Sequence, residues 1–264
     1  MLEKQLEIRK ILKQKLKNRK PVFGSWVSYK DQGIAETFAR SGFDFVAIDM
    51  EHTTISTDDA NRIITACHSQ GVACLPRPVS HNNDYIKPLL EAGADGLFIQ
   101  MVNTKKDVEN LISLLKFSPV GNRSYGVNRA HGYGVDFNEY IQSWNETSSF
   151  IIQVESITAV KNIEELISFD EVDAVMIGPY DISGSLGVPG ELDHPLVKSA
   201  CQKVVQACLK KGKSCCTQIS NVSEKTVKKA FKDGFTFVIL ASDLFVLTNW
   251  AINTKLLIKG IREE

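Results

Sequence analysis

The segment ARSGFDFV, residues 39–46, contains the unit that decides the fold: a helix end, a glycine turn and the start of an apolar strand. The segments LEAGADGLF, residues 90–98, and FKDGFTFV, residues 231–238, repeat this order of features. A glycine after an amphipathic helix is a common helix C-cap, and a short continuously apolar run is typical of a strand that is buried on both faces. The repetition therefore indicates a chain built from successive strand–helix units.

Eight apolar runs with strand character can be read along the chain, at residues 22–28, 43–49, 72–77, 96–101, 150–155, 174–178, 214–218 and 235–241. Amphipathic stretches follow them at residues 31–41, 57–70, 84–93, 104–117, 158–168, 194–212, 222–233 and 243–262, and Gly42, Gly71, Gly93 and Gly234 stand at helix ends. This alternation predicts an α/β fold, a (β/α)8 TIM barrel, whose usual size is about 250 residues. An open doubly wound sheet is the alternative, but no G-x-G-x-x-G motif follows the first run.

A basic segment precedes the first strand. Residues 1–20 hold a large excess of Lys and Arg over Glu, and four leucines fall near one face of a predicted helix, namely Leu2, Leu6, Leu12 and Leu16. We expect an N-terminal helix, residues 1–20, that caps a single barrel domain of residues 21–264. Oligomer contacts and membrane or organelle targeting are the alternatives for this helix, although its residues contain no continuous apolar region of a secretory signal.

Composition excludes several classes of protein. The chain has 31 Lys and Arg against 31 Asp and Glu, a formal net charge of zero, which argues against nucleic-acid binding. No apolar run reaches the roughly 18 residues of a membrane span. The six cysteines form no C-x-x-C pair, so we expect reduced core thiols and a cytoplasmic protein.

Polar residues follow several of the predicted strands, where a barrel of this type places its active site. These stretches are Asp49-Met50-Glu51-His52, Arg77-Pro78, Gln153-Val154-Glu155 and Gly178-Pro179-Tyr180-Asp181. Glu155 and Asp181 are the candidate ligands of a hard divalent cation, Mg2+ or Mn2+, because no Cys/His cluster accompanies them. Taken alone, each of the two acids could instead be a solvent-exposed loop residue without a bound cation.

Two further side chains carry the candidate chemistry. Arg77, between two prolines, suits bidentate binding of a carboxylate or an enolate, although a structural salt bridge is the alternative. His52 beside Glu51 is a candidate proton carrier rather than a structural histidine. The Gly178–Gly184 stretch offers backbone N–H groups to a substrate carboxylate, whereas the ends of strands seven and eight lack the glycines of a phosphate site.

A long connection without regular structure lies at residues 118–137. It contains His131, a candidate substrate contact, and long irregular loops inside compact domains are usually functional. We expect this loop to reach over the mouth of the barrel.

These motifs, together with Gly121-Asn122-Arg123 and the stretch Arg129-Ala130-His131-Gly132-Tyr133-Gly134, resemble the HpcH/HpaI aldolase family of metal-dependent class II pyruvate aldolases. The resemblance runs from Gly24 to about Asp243. It implies reversible cleavage of a 4-hydroxy-2-oxo acid to pyruvate and an aldehyde.

The resemblance also implies roles for residues of this chain. Glu155 and Asp181 would hold the divalent metal (Mg2+, Mn2+ or Co2+), Arg77 would stabilise the enolate, and His52 would transfer the proton. Glu91 falls where relatives commonly have an aspartate that meets that histidine across a subunit boundary, so a homo-oligomer, commonly a hexamer, is implied. The substrate-binding set would comprise Arg77, Gln153, Gly178, Pro179, Tyr180, Asp181 and His131.

Two other functions remain open at this point. A lyase acting on an acyl-CoA or a phosphoenolpyruvate-type substrate shares the fold, but its nucleotide or phosphate site is not evident in the sequence. A catalytically silent barrel that binds a small oxo acid is the non-enzymatic alternative. A Schiff-base aldolase is disfavoured because no lysine stands convincingly at a predicted strand end.

Overall fold

The computed structural model describes residues 2–263 and contains eight parallel strands in one sheet. They are β1 (Val22–Val27), β2 (Phe45–Asp49), β3 (Ala73–Arg77), β4 (Gly96–Ile99), β5 (Ser149–Val154), β6 (Ala174–Ile177), β7 (Ser214–Ile219) and β8 (Phe237–Ser242). Neighbouring strands follow the order β3-β2-β1-β8-β7-β6-β5-β4, and β3 lies beside β4 at the seam. The predicted (β/α)8 TIM barrel is therefore confirmed, and the doubly wound alternative is wrong.

Helices alternate with these strands. They are α1 (Leu2–Lys17), α2 (Gln32–Ala39), α3 (Thr57–Gln70), α4 (Asn83–Glu91), α5 (Lys105–Leu115), α6 (Phe137–Thr147), α7 (Ile157–Lys161), α8 (Ile163–Leu166), α9 (Pro179–Ser185), α10 (Pro195–Lys211), α11 (Glu224–Lys232) and α12 (Asp243–Glu263). The helix predicted at residues 158–168 is divided into α7 and α8, and α9 was not predicted. Among the helices of residues 2–263, none has the length and apolar character needed to cross a membrane.

Local signals set the ends of α3. The Ser56 hydroxyl accepts a hydrogen bond from the Asp59 N–H, and the Asp59 carboxylate accepts one from the Ser56 N–H, which is a capping box. Gly71 ends the helix with a φ of 79°, a left-handed conformation that costs glycine least. The chain then enters β3, as the glycine pattern predicted.

Aromatic side chains fill the inside of the barrel. Phe45, Phe98 and Phe237 meet with ring centroids 5.0–5.9 Å apart, and Trp26 lies 5.1 Å from Phe98. All four side chains are buried. The interior is consequently a packed core, and any ligand must bind at an end of the barrel.

One acidic residue directly precedes each of β2, β4 and β6, at the amino end of the barrel. Asp44, Asp95 and Asp173 accept backbone hydrogen bonds from Phe23, Cys74 and Phe150, at distances of 2.8–2.9 Å. Each carboxylate therefore joins its own strand to the preceding one. Before β8 the corresponding position holds Thr236 instead of an acid.

Helix α1 supplies a cation to each of these acids. Lys13 Nζ lies 2.7 Å from Asp173, Lys15 Nζ 2.5 Å from Asp44, and Arg9 Nη1 3.6 Å from Asp95. Arg9 and Lys13 are almost fully buried. The basic helix thus packs across the amino end of the barrel, as the capping interpretation expected.

The long connection lies at the amino end as well, so the expectation that it covers the mouth of this barrel is wrong. It follows α5 and leads through the short 3-10 segment Arg129–Gly134 and α6 into β5. Arg129 donates to the Ala92 carbonyl at 2.7 Å, just before β4. A connection from a helix to the next strand necessarily runs at the amino end of a parallel barrel.

Candidate active site

A cavity of about 400 Å3 opens at the carboxyl end of the barrel. The structure brings to it eight residues that sequence reasoning selected, namely His52, Arg77, Gln153, Glu155, Gly178, Pro179, Tyr180 and Asp181. They come from β2, β3, β5 and β6 or from the residues that follow these strands. The rule that the carboxyl ends of the strands meet at one rim therefore identified residues that line the same cavity.

The guanidinium of Arg77 is held on several sides. Its Nη2 lies 2.8 Å from Asp49 Oδ1, and its Nη1 lies 3.0 Å from Glu51 Oε2 and 3.4 Å from Gln153 Oε1. The Trp26 ring lies under the guanidinium carbon at 4.8 Å. These contacts fix the plane of a buried cation, which suits recognition of a planar anion.

Glu155 is equally constrained. Its Oε2 accepts the Met101 N–H at 2.9 Å and its Oε1 accepts the Gln153 amide at 2.7 Å. A Cβ at position 178 would lie 2.7 Å from Glu155 Cγ, so Gly178 leaves the space that this side chain occupies. Met101 has a φ of 50°, a strained conformation that turns its N–H toward the carboxylate.

The acids of the mouth repel one another. Burial raises the pKa of the Glu155 carboxyl, and the nearby charges of Glu51 and Asp181 raise it further, against the Met101 hydrogen bond and Arg77, which lower it. Burial also raises the pKa of Glu51, and Arg77 and His52 oppose this rise. A divalent cation beside Glu155 and Asp181 would offset this repulsion.

The donor set fits a hard cation. Within residues 2–263, no group of three or more His, Cys, Asp and Glu side chains forms a complete metal site. Magnesium is nonetheless commonly bound by one or two carboxylates, with water and substrate oxygens in its other positions. Glu155 and Asp181, which both face the cavity, meet that requirement.

His52 stands at the rim of the cavity. Its Nε2 lies 3.5 Å from Glu51 Oε2, and its side chain is 68% exposed. The Asp49 carboxylate accepts the backbone N–H groups of Glu51 and His52, at 3.1 and 3.2 Å. This turn presents the imidazole to the cavity, where a substrate can reach it.

Glu91 and His131 lie elsewhere. Glu91 ends α4, at the amino end of the barrel, where its Oε1 lies 3.2 Å from Arg123 Nη2 and its Oε2 lies 3.8 Å from His131 Nδ1. His131 is fully buried against Tyr140, and burial lowers its pKa. Neither residue lines the mouth of its own barrel, so a role in catalysis requires a second chain.

Sequence reasoning passed over two supports of Arg77. The strand-end rule, applied to the sequence, assigns no separate role to Asp49 or Trp26. The available signals were the position of Asp49 at the very end of β2 and that of Trp26 near the end of β1. Both positions are at the carboxyl end, where the same rule applies.

Known proteins resemble the chain over most of its length. Residues 23–249 match the family model of the HpcH/HpaI aldolase/citrate lyase family. A 2-keto-3-deoxy-L-rhamnonate aldolase of Klebsiella pneumoniae is 32% identical over 227 residues, covering 85% of this chain and 84% of the relative.

Solved structures agree with these matches. An HpcH/HpaI aldolase/citrate lyase family protein from Burkholderia cenocepacia superposes with a TM-score of 0.87 and 26% identity, over 96% of this chain and 99% of that one. An HpcH/HpaI aldolase from Desulfitobacterium hafniense gives a TM-score of 0.86 at 26% identity, over 94% and 96% of the two chains.

Proposed function

The chain belongs to the HpcH/HpaI aldolase/citrate lyase family, and we propose that it is a metal-dependent class II aldolase. As a carbon–carbon lyase, it cleaves a 4-hydroxy-2-oxo acid reversibly to pyruvate and an aldehyde. The observation that carries the proposal is one cavity that holds a fixed, buried Arg77 opposite the carboxylates Glu155 and Asp181.

Glu155 and Asp181 hold the divalent cation, Mg2+ or Mn2+, with Co2+ as a further candidate. When bound, such a cation acts as a Lewis acid toward the 2-oxo group of the substrate and orients its carboxylate. The Met101 N–H and the Gln153 amide keep the Glu155 carboxylate aimed at the cavity.

Arg77 stabilises the negative charge that develops during the reaction. When the bond between C3 and C4 breaks, its electron pair remains on the pyruvate portion as an enolate, and C4 leaves as the aldehyde. A preorganised guanidinium favours this charge more than the neutral ketone, so it lowers the barrier. Asp49, Glu51 and Trp26 hold Arg77 in place before substrate binds.

His52 removes the proton of the 4-hydroxyl group. Proton removal at that oxygen lets the carbonyl of the leaving aldehyde form, and a positioned base of this kind contributes typically 10²–10⁴ in rate. The exposed imidazole at the rim is accessible to the substrate. The protonated His52 or a water molecule then supplies a proton to C3 of the enolate, which gives pyruvate. Gln153, Gly178, Pro179 and Tyr180 line the substrate cavity around these groups.

The chain forms a homo-oligomer. Helix α12 exposes large apolar side chains along much of its length, including Trp250, Leu256, Leu257 and Ile261. Exposed apolar surface of this extent is typical of a subunit interface. We infer a hexamer, in which Glu91, with His131 beside it, serves the His52 of a neighbouring subunit; light scattering of the purified chain tests the assembly.

Other chemistries fit less well. Among the described residues that line the cavity, Arg77 is the one Lys or Arg side chain, and it already faces Asp49 and Glu51. Beyond the proposed cation, no basic group is therefore left there for a nucleotide or an additional phosphate. All six cysteines are free, which fits a reducing compartment and therefore the cytoplasm.

Metal removal tests the proposal. Pyruvate release from a 4-hydroxy-2-oxo acid is measured before chelation, after it, and after Mg2+, Mn2+ or Co2+ is restored. We expect release to stop on chelation, and Glu155→Gln and Asp181→Asn to abolish the response to added metal. The control Glu224→Gln removes a well-exposed acid of α11 and should behave as the wild type. Full release by the chelated enzyme would contradict the metal assignment.

A further inference from the structure

Strands β3 and β4 meet at the seam of the barrel. They lie side by side but form no ladder of backbone hydrogen bonds within the described part of the chain. The connection that follows β3 contains His81, and β4 is followed by Gln100 and Met101. The seam borders the proposed site, because Arg77 ends β3 and the Met101 N–H binds Glu155.

Side chains link the two strand ends in place of a ladder. His81 Nε2 donates to the Gln100 carbonyl at 2.5 Å, and the Gln100 side-chain amide donates to the Pro78 carbonyl at 2.9 Å. A carbonyl oxygen only accepts, so the proton of the first bond is on His81 Nε2. The Gln100 side chain is buried and His81 is half-buried. Each connection thus donates one side-chain hydrogen bond to the backbone of the other.

The Gln100 carbonyl and the Met101 N–H belong to one peptide group. His81 donates to the oxygen of this group, and the N–H on its other side donates to Glu155 Oε2 at 2.9 Å. Because a peptide group is planar, the direction of its oxygen fixes the direction of its N–H. Hydrogen bonds in such a chain also polarise one another, which strengthens the bond to the carboxylate.

This peptide group needs support because Met101 has a φ of 50°. A left-handed backbone is unfavourable for a residue with a side chain, and Met101 is half-exposed, so little packing holds it there. The Asn103 amide donates to the Met101 carbonyl at 2.9 Å, on the other side of the strained residue. Strained residues persist where their surroundings over-determine them, and they cluster at functional sites. His81 and Asn103 supply that constraint from the two sides of Met101.

We propose that His81 is a positioning residue for the metal-binding carboxylate. It holds the Gln100–Met101 peptide group so that the N–H keeps Glu155 aimed at the cavity, ready to bind the divalent cation. His81 is not among the described residues that line the cavity, so its effect on the reaction passes through this peptide group. The inference rests on the proposed function and adds to it a residue outside the cavity.

Binding of Mn2+ to the metal-free full chain tests this role without turnover. The EPR signal of the free ion is followed during a titration, which gives the Kd, and Glu155→Gln should abolish the binding. His81→Phe keeps an aromatic ring but has no donor for the Gln100 carbonyl. We expect it to raise the Kd by about tenfold or more, as removal of a group that orients a metal ligand typically does. His81→Gln keeps an N–H donor and should retain most of the affinity.

A glycine at position 101 provides a second readout. Glycine takes a positive φ without strain, so Met101→Gly makes the peptide group less dependent on His81. In the double variant His81→Phe/Met101→Gly, the Kd should therefore return part of the way to the wild-type value. A purely structural role of His81 predicts instead that the double variant binds no better than His81→Phe, and that result would contradict the inference.

Matched variants complete the test. Tyr85→Phe removes a polar group from an exposed ring of α4 and should leave the Kd unchanged. His81→Leu, which also lacks a donor, replaces His81→Phe if that variant does not fold. A wild-type Kd in the folded variants without a donor would overturn the inference.

Failure of the proposed function gives a different result. If Mn2+ binding depends on His81 but the wild type neither exchanges the methyl protons of pyruvate nor releases pyruvate from a 4-hydroxy-2-oxo acid, the positioning role stands and the aldolase proposal fails. If the wild type is an active aldolase and His81→Phe binds Mn2+ as tightly, the aldolase stands and the positioning role is refuted. If the wild type binds no Mn2+, the metal assignment and this inference both fail.

Discussion

The two ends of the barrel use similar charged side chains in opposite ways. At the amino end, Asp95 and Asp173 lie against Arg9 and Lys13 of α1, and all four are almost fully buried. At the carboxyl end, Asp49, Glu155 and Asp181 line a cavity of about 400 Å3 with Arg77 among them, and Glu51 lies 3.0 Å from Arg77. At the amino end, each acid pairs with a cation of α1, and the pair joins the helix to the barrel. At the carboxyl end, the acids outnumber the single cation Arg77, so carboxylate oxygens remain available to bind a ligand.

This difference between the two ends predicts that activity and stability can be lost separately. A substitution at the carboxyl end should reduce activity with little loss of stability, and one at the amino end should do the reverse.

At the carboxyl end, Arg77→Lys should lower kcat by about 10²–10³-fold, as loss of a preorganised charge contact does. An ammonium keeps the charge but cannot reproduce the fork between Asp49 and Glu51. Steady-state kinetics and a thermal melt are measured on the same sample. Near-normal turnover would reject the role of Arg77, and a large fall in Tm would show that it serves the fold instead.

At the amino end, Lys13→Met should lower the free energy of unfolding by about 3–5 kcal/mol, because Asp173 would stay buried without its cation. Lys13 also donates to the Ser148 carbonyl at 2.8 Å. Urea unfolding measures the loss, and Lys13→Met/Asp173→Asn should recover part of it. A loss equal in the single and double variants would show that the charge of Asp173 is not the cause.

Lys116, also at the amino end, should make stability depend on pH. Burial lowers the pKa of its ammonium to about 7, and repulsion from Lys13 contributes. In the unfolded chain a lysine keeps its proton up to about pH 10.4, so the unfolded state binds more protons between these values. The free energy of unfolding should therefore rise with pH across that window.

The slope due to Lys116 is up to about 1.4 kcal/mol per pH unit. Lys116 Nζ donates to the Ser148 hydroxyl at 2.7 Å and the Asn145 carbonyl at 3.0 Å. Unfolding of the wild type and Lys116→Met is compared at several pH values between 7 and 10. Identical slopes in the two proteins would contradict a lowered pKa.

Substitution of an exposed lysine of α1 should have the smallest effect on the free energy of unfolding. Lys10 and Lys17 lie on the outer face of the helix, unlike the buried Lys13. Lys10→Gln should change the free energy of unfolding by less than about 0.5 kcal/mol. A loss as large as that of Lys13→Met would mean that net charge, rather than burial, explains how α1 holds the barrel.

The sequence predicted the architecture because its cues are local. Glycine turns such as Gly71 and continuous apolar runs such as that of β2 reveal a strand–helix unit wherever it occurs. The residues at the mouth of the barrel were predictable for the same reason. A residue such as Arg77 or Glu155 can be assigned to that rim from its position at the end of a strand alone.

The sequence could not reveal partners that are distant along the chain. Lys13 meets Asp173, and Arg129 meets Ala92, only after the barrel has closed. The long connection was assigned to the wrong end because its composition looked functional, although its position after α5 indicated the amino end. The division into residues 1–20 and 21–264 stays a prediction.

In the proposed reaction the carboxyl end of the barrel stabilises a pyruvate enolate, and proton exchange of pyruvate measures that step without an aldehyde. Pyruvate alone is incubated in D2O with the enzyme and Mg2+, Mn2+ or Co2+, and the methyl signal is followed by NMR. We predict a metal-dependent loss of that signal without any aldehyde, strongly slowed in Arg77→Lys and unaffected in Lys10→Gln. An unchanged methyl signal with every metal, in a folded wild-type protein, would contradict enolate stabilisation at this site and favour a catalytically silent barrel.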